Sequence, residues 1–364
     1  MKSLFKILLL LLLVNICHAQ IEDLRKEIDK IIIHDTEIDF QQTPGFTIAV
    51  IDEDSTFFLE YGSALLEREK KLSKNTSFEI GSCSKLFTAS LVEILVAKKL
   101  ISYNSKINSF LPIEEQNPRM EDLTIEDLIM HRSGFPKRPH FFGKKEQVPN
   151  DPYAFYNTED LIDFYKEYVP GKAENYKYAH TNYALIEYAL EKNFNRSYGS
   201  LLQEYLFNPL LLDDSFVDAS ELNSIRITQG YDRANRPVSP WNFQSFLGSE
   251  GLKSSARDLS LFLKAHMGNS GTSLDNILPA TSKELGETSF NDRIKIGRAW
   301  HIIDQGKKFN ILMHTGRTSG NSCFMAFIKE TKTGIVVLSN SGFGTQDLGM
   351  LILRMVNHNW KRKA

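Results

Sequence analysis

The sequence predicts a mixed α/β (α+β) fold, in which both ends of the chain build one antiparallel sheet flanked by helices, around an inserted all-helical lobe. Residues 45–61 are rich in β-branched and aromatic residues on either side of an acidic turn, as in a β-hairpin. Residues 82–244 show helical spacing interrupted by prolines. From Ile294 onward the apolar period shortens to two. The hairpin is therefore expected to join the C-terminal strands in one sheet.

The first 19 residues have the layout of a signal peptide. A basic start is followed by an apolar run that ends at Val14, and this run is shorter than the about 20 apolar residues that span a bilayer. Because Ala19 is small, we expect cleavage after it and an exported protein, periplasmic or secreted. Acylation of Cys17 is the alternative, and the bulky Ile16 disfavours it because lipoprotein signals have a small residue there.

The later elements follow from their spacing. A short amphipathic helix precedes the hairpin, and further helices are expected at about 182–194, 197–206 and 348–360. The C-terminal strands are expected at Ile296–Ile303, Asn310–Thr315, Cys323–Ile328 and Gly334–Leu338. These elements divide residues 20–364 into an α/β lobe, 20–80 with 245–364, and a helical lobe, 81–244.

The composition is that of an ordinary globular protein. The 364 residues carry a net charge of −2, which gives no electrostatic drive toward nucleic acid or acidic lipid. The sequence contains no metal-ligand spacing and no glycine-rich phosphate loop, so we expect no metal and no cofactor. Cys83 and Cys323, which remain after cleavage, are expected to stay unpaired.

Ser82 and Lys85 form an S-x-x-K pattern at the start of an apolar segment. Residues i and i+3 share one helical face, about 5–6 Å apart, so the Lys85 amine is expected to reach the Ser82 hydroxyl. A serine in the first turn also lies where unpaired N–H groups and the helix dipole favour negative charge. An N-cap serine before a surface lysine is the alternative. Residues 86–96 are too apolar for a surface helix, which favours a nucleophile and its partner.

With two further motifs, the chain resembles the serine β-lactamase and penicillin-binding-protein superfamily, especially its class C-like branch of peptidases and esterases. The segment from Tyr178 to Leu185 resembles the family's Tyr-x-Asn element and the helix after it, with His180 at the usual asparagine. His314-Thr315-Gly316 resembles the family's Lys-Thr-Gly, with histidine in place of lysine. The likeness covers about residues 40–345 and implies a β-lactamase/transpeptidase-like fold.

The resemblance implies a serine hydrolase that works through an acyl-enzyme. Ser82 would attack a carbonyl, and its proton would go either to Lys85 with a lowered pKa or to a Tyr178 phenolate stabilised by Lys85. The backbone N–H groups of Ser82 and Arg317 would hold the oxyanion. The substrate-binding residues implied in the same way are His180, His314, Thr315 and Gly316.

Three function classes stay open. The favoured one is hydrolysis of esters or of (D-)peptide and other amide bonds in small molecules. A β-lactamase or D,D-carboxypeptidase is disfavoured, because the position of His314 usually holds a fixed cation for a substrate carboxylate, and an ordinary histidine with a pKa of about 6.5 is cationic only near pH 6. Arg317 is the other candidate for that charge. The third class, a catalytically silent member that binds peptidoglycan-like or acyl ligands, conflicts with the intact Ser82, Lys85 and Tyr178. The oligomeric state is not predicted.

Overall fold

A nine-stranded antiparallel sheet organises the part of the chain that the structure describes. The computed structural model describes residues 20–36, 38, 43–68, 70–139, 148, 150–171, 175–217, 227–306, 309–342 and 344–358. The N-terminal strands of the sheet are β1 (Gly45–Asp52), β2 (Ser55–Leu65) and β3 (Lys70–Lys71). A separate pair is formed by β4 (Ser77–Glu79) with a later strand, β7 (Lys253–Ser255), and another by β5 (Gly230–Tyr231) and β6 (Pro237–Val238).

The C-terminal strands complete the large sheet. They are β8 (Gly286–Glu287), β9 (Ile294–Ile296), β10 (His301–Asp304), β11 (Asn310–Arg317), β12 (Ser322–Ile328) and β13 (Thr333–Ser339). The order in the large sheet is β3-β2-β1-β13-β12-β11-β10-β9-β8. Ile48 pairs with Leu59 on one side and with Val337 on the other. The predicted mixed fold, with both chain ends in one antiparallel sheet, is therefore confirmed.

Helices cover both faces of this sheet. On one face, a helix over residues 20–35 (α1) and the last helix, Thr345–His358, share an apolar cluster with β1 that includes Leu24, Ile48 and Ile352. The other face carries the larger core, to which the remaining helices contribute. These are α2 (Ser84–Ala97), α3 (Ile125–Ile129), α4 (Thr158–Glu167), α5 (His180–Phe194), α6 (Tyr198–Leu202), α7 (Asn208–Leu210) and α8 (Ala256–His266), and the last helix is α9.

Helix α2 runs through the core, as its sequence predicts. It is buried along almost its whole length, from Ser84 to Leu95, because nearly all of its side chains are apolar or small. The helix begins at Ser84, so Ser82 lies in a 3₁₀ turn, Gly81–Cys83, that leads into it. This turn contacts β11, whose residues 314–317 extend past the end of its pairing with β10.

Two segments differ from the predicted elements. The single strand expected at Ile296–Ile303 is two strands, because Gly297 N donates to Trp300 O in a turn where Ala299 has a positive φ of 67°. Strands β5 and β6 lie inside the range expected to be all helical. Tyr231 N donates to Gly320 O and Asn340 O, so this segment packs on the sheet.

The structure describes no helix with the length and apolar character needed to cross a membrane. The predicted signal peptide, residues 1–19, and Cys17 lie outside the described residues, as do the last residues of the helix expected at 348–360.

Candidate active site

A cleft of about 720 Å³ lies between the edge of the large sheet and the helices packed on it. It collects side chains from distant parts of the sequence. Those predicted from the sequence are Ser82, Tyr178, His180, His314, Thr315, Gly316 and Arg317, and those not predicted include Lys137, Arg138, Trp241, Glu250, Phe290 and His301. Lys85 is fully buried directly beside this group.

The turn that carries Ser82 lies backbone to backbone against β11. Gly316 allows this approach, since an added Cβ there would lie 1.8 Å from Ile80 O. Gly81 has a positive φ of 50°, and a Cβ on it would lie 2.6 Å from Arg317 N. The backbone of Ser82 is therefore adjacent to the backbone of Arg317, the pairing that an oxyanion site on these two residues requires.

Glu250 is the group that sequence reasoning missed. Its Oε1 accepts a hydrogen bond from Ser82 Oγ at 2.6 Å and one from Lys85 Nζ at 2.9 Å. The same oxygen contacts His180 Nδ1. One carboxylate oxygen thus joins the three polar residues that the two motifs supply. The sequence shows the glycine-rich segment 248–251, but none of the catalytic motifs lies near its acidic residue along the chain.

A tight turn holds Glu250 in place. The turn Leu247–Gly251 follows Phe246, which has a positive φ of 69°. Gly248 is fixed from both sides, because its N–H donates to Glu187 Oε2 at 2.7 Å and its carbonyl accepts from Thr88 Oγ1 at 2.6 Å. A side chain at Gly248 would lie 2.9 Å from that hydroxyl. Packing therefore positions the Glu250 carboxylate beside Ser82.

Lys85 is an ammonium group within a buried ion pair. Its Nζ donates to Glu250 Oε1 and to Ser249 O, each at 2.9 Å, and lies 3.1 Å from His180 Nδ1. Burial lowers the pKa of Lys85, and the Glu250 carboxylate acts against that shift. The sequence placed the amine beside the Ser82 hydroxyl, whereas the structure places Glu250 Oε1 in contact with both.

The electrostatics of the cluster keep the Glu250 carboxyl ionised and His180 neutral. Burial acts to raise the pKa of Glu250, but His180, Lys85 and the Ser82 hydrogen bond together hold it well below its ordinary value. Burial lowers the pKa of His180 to about 4. A neutral His180 can donate its Nδ1 proton to the carboxylate.

Tyr178 lies at the cleft as a protonated phenol. Burial and the nearby Glu250 carboxylate raise its pKa, and it shares a hydrogen bond with Ser82. Lys85 Nζ lies over its ring face, 5.3 Å from the centroid, so the cation faces the π system. The raised pKa disfavours the Tyr178 phenolate, which is one of the two proton acceptors that the sequence leaves open. The Tyr178 ring also contacts the ring of His131, with 4.6 Å between the two centroids.

His314 is buried, and its surroundings disfavour the cationic form that the sequence leads us to expect near pH 6. Burial and the neighbouring His301 hold the pKa of His314 well below its ordinary value. Its Nδ1 donates to Thr315 O at 2.8 Å, and its ring stacks on His301 at 5.1 Å between centroids. The positive charge at this cleft comes instead from Lys137, Arg138 and Arg317, of which the sequence indicated Arg317 alone.

The cysteine beside the candidate nucleophile is a poor competitor for its role. Cys83 and Cys323 are both buried free thiols. Burial and a hydrogen bond with Cys323 raise the pKa of the Cys83 thiol. Since the thiolate is the nucleophilic form, Cys83 stays unreactive. In the described part of the chain, no group of three or more acidic, histidine or cysteine side chains is arranged to hold a metal ion.

Comparison with known proteins matches most of the chain to one family. The sequence profile of the family described as Beta-lactamase matches residues 29–357. The beta-lactamase of Yersinia enterocolitica is 25% identical over 347 residues, which cover 83% of this chain and 84% of that protein. Penicillin-binding protein 4* of Bacillus subtilis is 25% identical over 341 residues, or 87% of this chain and 72% of that protein.

Solved structures show the same fold at lower identity. The beta-lactamase/D-alanine carboxypeptidase from Pseudomonas syringae has a TM-score of 0.79 at 22% identity, and the match covers 93% of this chain and 99% of that one. The class C beta-lactamase from Rhodobacter sphaeroides has a TM-score of 0.76 at 20% identity, with coverages of 91% and 98%. The expected β-lactamase/transpeptidase-like fold is confirmed by these neighbours.

Proposed function

Because this chain belongs to the beta-lactamase family, whose members are serine hydrolases, we propose that it hydrolyses acyl substrates through an ester formed on Ser82. The observation that carries the assignment is the position of the Ser82 hydroxyl. It lines the cleft, donates to Glu250 Oε1 at 2.6 Å and lies in the turn that abuts the Arg317 backbone. A serine becomes a nucleophile when a neighbouring group takes its proton, and this hydroxyl already donates to one.

The proposed chemistry uses the two backbones that meet at this turn. Attack of Ser82 Oγ on a carbonyl carbon moves negative charge to the carbonyl oxygen. The N–H groups of Ser82 and Arg317 hold that oxygen, and losing one such donor typically costs roughly 10²–10³-fold in kcat. Lys85 places a buried positive charge beside the same centre, which stabilises the anion further.

The proposed substrates are small esters and (D-)peptide or other amide bonds. His314 is neutral and Phe290 adds an apolar wall, which suits an uncharged acyl group. Hydrolysis of β-lactams or of D-alanyl peptides is the second candidate. The observation that favours it is the cationic lining of the cleft by Lys137, Arg138 and Arg317, since both substrate classes carry a carboxylate.

We place this activity outside the cytoplasm, on the basis of residues 1–19. Their basic start and short apolar run are typical of a secretory signal. The test is intact-mass analysis of the secreted chain from its native type of host. A mass that matches a chain starting at Gln20 supports cleavage after Ala19. A chain that keeps residues 1–19 contradicts export by this route, and an added diacylglyceryl mass at Cys17 identifies a lipid anchor instead.

Covalent labelling tests the nucleophile without knowledge of the substrate. A fluorophosphonate should add one label per chain to the wild type and none to Ser82→Ala. Ser84→Ala is the matched control, because Ser84 Oγ is buried and donates to Gly81 O at 2.7 Å, away from the cleft. The control should still be labelled. Undiminished labelling of Ser82→Ala, or no labelling of the wild type, contradicts the proposal.

A further inference from the structure

Glu250 occupies a place at the nucleophile for which neither motif provides a residue. It is the one acidic side chain among the described residues that line the cleft, and it is almost fully buried. Its Oε1 lies 2.6 Å from Ser82 Oγ, which is within hydrogen-bond reach of the proton that must leave. A structural carboxylate would need only Lys85 and His180 as partners, whereas this oxygen also accepts from the nucleophile.

The single proton of the Ser82 hydroxyl decides the direction of its hydrogen bonds. Ser82 Oγ donates this proton to Glu250 Oε1 at 2.6 Å, so the same proton is not directed at Tyr178. Burial and the Glu250 carboxylate also raise the pKa of Tyr178, which disfavours the phenolate that could accept a proton. The geometry therefore directs the Ser82 proton at Glu250 rather than at Tyr178.

Lys85 is equally unsuited to take this proton. An ammonium has three donors and no lone pair, and Lys85 Nζ directs its donors at Glu250 Oε1 and Ser249 O. Among the described residues, no hydrogen bond joins Lys85 Nζ to Ser82 Oγ. Becoming a base would require Lys85 to lose its proton while 2.9 Å from a carboxylate that favours the charged form.

We propose that Glu250 is the general base that accepts the Ser82 proton, an inference that rests on the proposed function of Ser82. In acylation, a lone pair of Ser82 Oγ bonds to the carbonyl carbon, the Ser82 proton moves to Glu250 Oε1, and the carbonyl π pair moves to oxygen. When the oxyanion collapses, the bond to the leaving group breaks and that group takes the proton from Glu250. The carboxylate is then restored.

The same carboxylate completes the cycle. A water molecule attacks the acyl carbonyl and gives a proton to Glu250 Oε1. Collapse of the second oxyanion breaks the bond to Ser82 Oγ, which takes that proton back. In both halves negative charge moves from Glu250 to an oxyanion beside Lys85, so the total charge of the buried cluster is constant. The strong interactions of Glu250 make it a weak base, and the hydrogen bond already formed to Ser82 offsets this through proximity.

The direct test is the rate constant of fluorophosphonate labelling in Glu250→Gln, which keeps the shape of the side chain and loses the proton acceptor. We expect a fall of roughly 10²–10⁴-fold, the usual size of a general-base effect. Glu93→Gln is the matched control, because Glu93 is a buried glutamate on α2 that does not line the cleft. Its carboxylate accepts from the Tyr103 hydroxyl at 2.6 Å and pairs with Arg298 at 3.6 Å, so the control also removes a buried charge from an ion pair. It should stay within about threefold of wild type, and Tyr178→Phe should lose less than about tenfold.

The outcomes separate this inference from the function that it rests on. Labelling that depends on Ser82 but stays within tenfold of wild type in Glu250→Gln overturns the role of Glu250 and leaves the nucleophile standing. Labelling that persists in Ser82→Ala overturns both. A loss of about a hundredfold or more in Glu250→Gln, at a melting temperature close to that of Glu93→Gln, supports the inference. A larger loss in Tyr178→Phe than in Glu250→Gln assigns the proton to Tyr178 instead.

A pH profile of the wild type keeps the inference testable if Glu250→Gln does not fold. The ionisable groups that face Glu250 are Lys85, Tyr178, His180, Cys83, Arg138, Tyr153 and His314. Burial lowers the pKa of His180 to about 4 and holds that of His314 well below its ordinary value, and it raises the pKa of the tyrosines and the thiol. We expect a labelling rate that varies by less than about threefold across the range from about pH 5.5 to 7.5, since Glu250 is ionised throughout. A rise of about tenfold per pH unit indicates deprotonation of Lys85 or Tyr178 and overturns the inference.

Discussion

Replacing Lys85 with methionine tests how far the buried ion pair depends on both of its members. Lys85 Nζ lies 2.9 Å from Glu250 Oε1, and both side chains are at most 2% exposed. Removing one partner of such a pair leaves an uncompensated buried charge, which costs about 3–5 kcal/mol of unfolding free energy. His180 also contacts this carboxylate and offsets part of the loss. We therefore expect the lower end, about 3 kcal/mol.

The pH dependence of this loss has a definite sign. In the wild type, burial acts to raise the pKa of Glu250, but His180 and Lys85 hold it below the ordinary value. Its contribution to stability is therefore present above the unfolded pKa, about 4.3, and is lost as pH falls through the folded pKa. In Lys85→Met burial dominates, so the pKa of Glu250 rises. The penalty of the variant then grows as pH rises through that value and shrinks toward pH 5.

Urea unfolding at pH 7 and pH 5 measures both effects. The set is wild type, Lys85→Met, Glu250→Gln and the double variant, with Lys98→Met as the control because Lys98 is exposed at the end of the same helix. The double variant should lose less than Lys85→Met at pH 7, and the control less than about 0.5 kcal/mol. A loss below about 1 kcal/mol in Lys85→Met, or one that grows at pH 5, refutes the reasoning.

Further predictions concern the sheet edge and the charge of the cleft. Gly316→Ala should abolish fluorophosphonate labelling, since its Cβ would meet Ile80 O at 1.8 Å, and a folded, normally labelled variant would contradict that contact. His314→Lys should raise kcat/KM for a chromogenic cephalosporin relative to p-nitrophenyl acetate. In the wild type this ratio should not change between pH 6 and 8, because burial holds the pKa of His314 well below its ordinary value. A tenfold change would show that His314 titrates in that range. Arg138→Ala should lower kcat/KM for the cephalosporin by roughly ten- to a hundredfold, the size of a hydrogen bond to a charged group. An equal loss for the neutral ester would contradict a role of Arg138 in carboxylate binding.

The fold and most of the site could be predicted because their signals are local. The hairpin at 45–61 and the apolar α2 are continuous patterns, and Ser82, Tyr178 and His314 lie in short motifs. The resemblance to the β-lactamase superfamily, which has these motifs in the same order, implied that the three residues share one cleft, and all three line it. The split of the strand expected at Ile296–Ile303 was missed because its turn has only one glycine, and the positive φ falls on an alanine.

Glu250 could not be predicted because its partners are distant in sequence. It is 168 residues from Ser82 and 165 from Lys85, and its turn depends on Glu187, which holds Gly248 in place. The neutrality of His314 was missed for the same kind of reason. Its low pKa follows from burial against His301, on a neighbouring strand that the sequence did not place beside it.

The most direct test of the acyl-enzyme is a rapid-quench experiment with a p-nitrophenyl ester. The wild type should release a burst of about one p-nitrophenolate per chain, and acid quenching during the burst should trap one acyl group. That group should lie on the tryptic peptide 75–85, which contains Ser82, and fragmentation should place it on Ser82 itself rather than Ser84. Turnover that depends on the intact cleft but leaves no acyl group, or an acyl group on any other residue, would contradict the account.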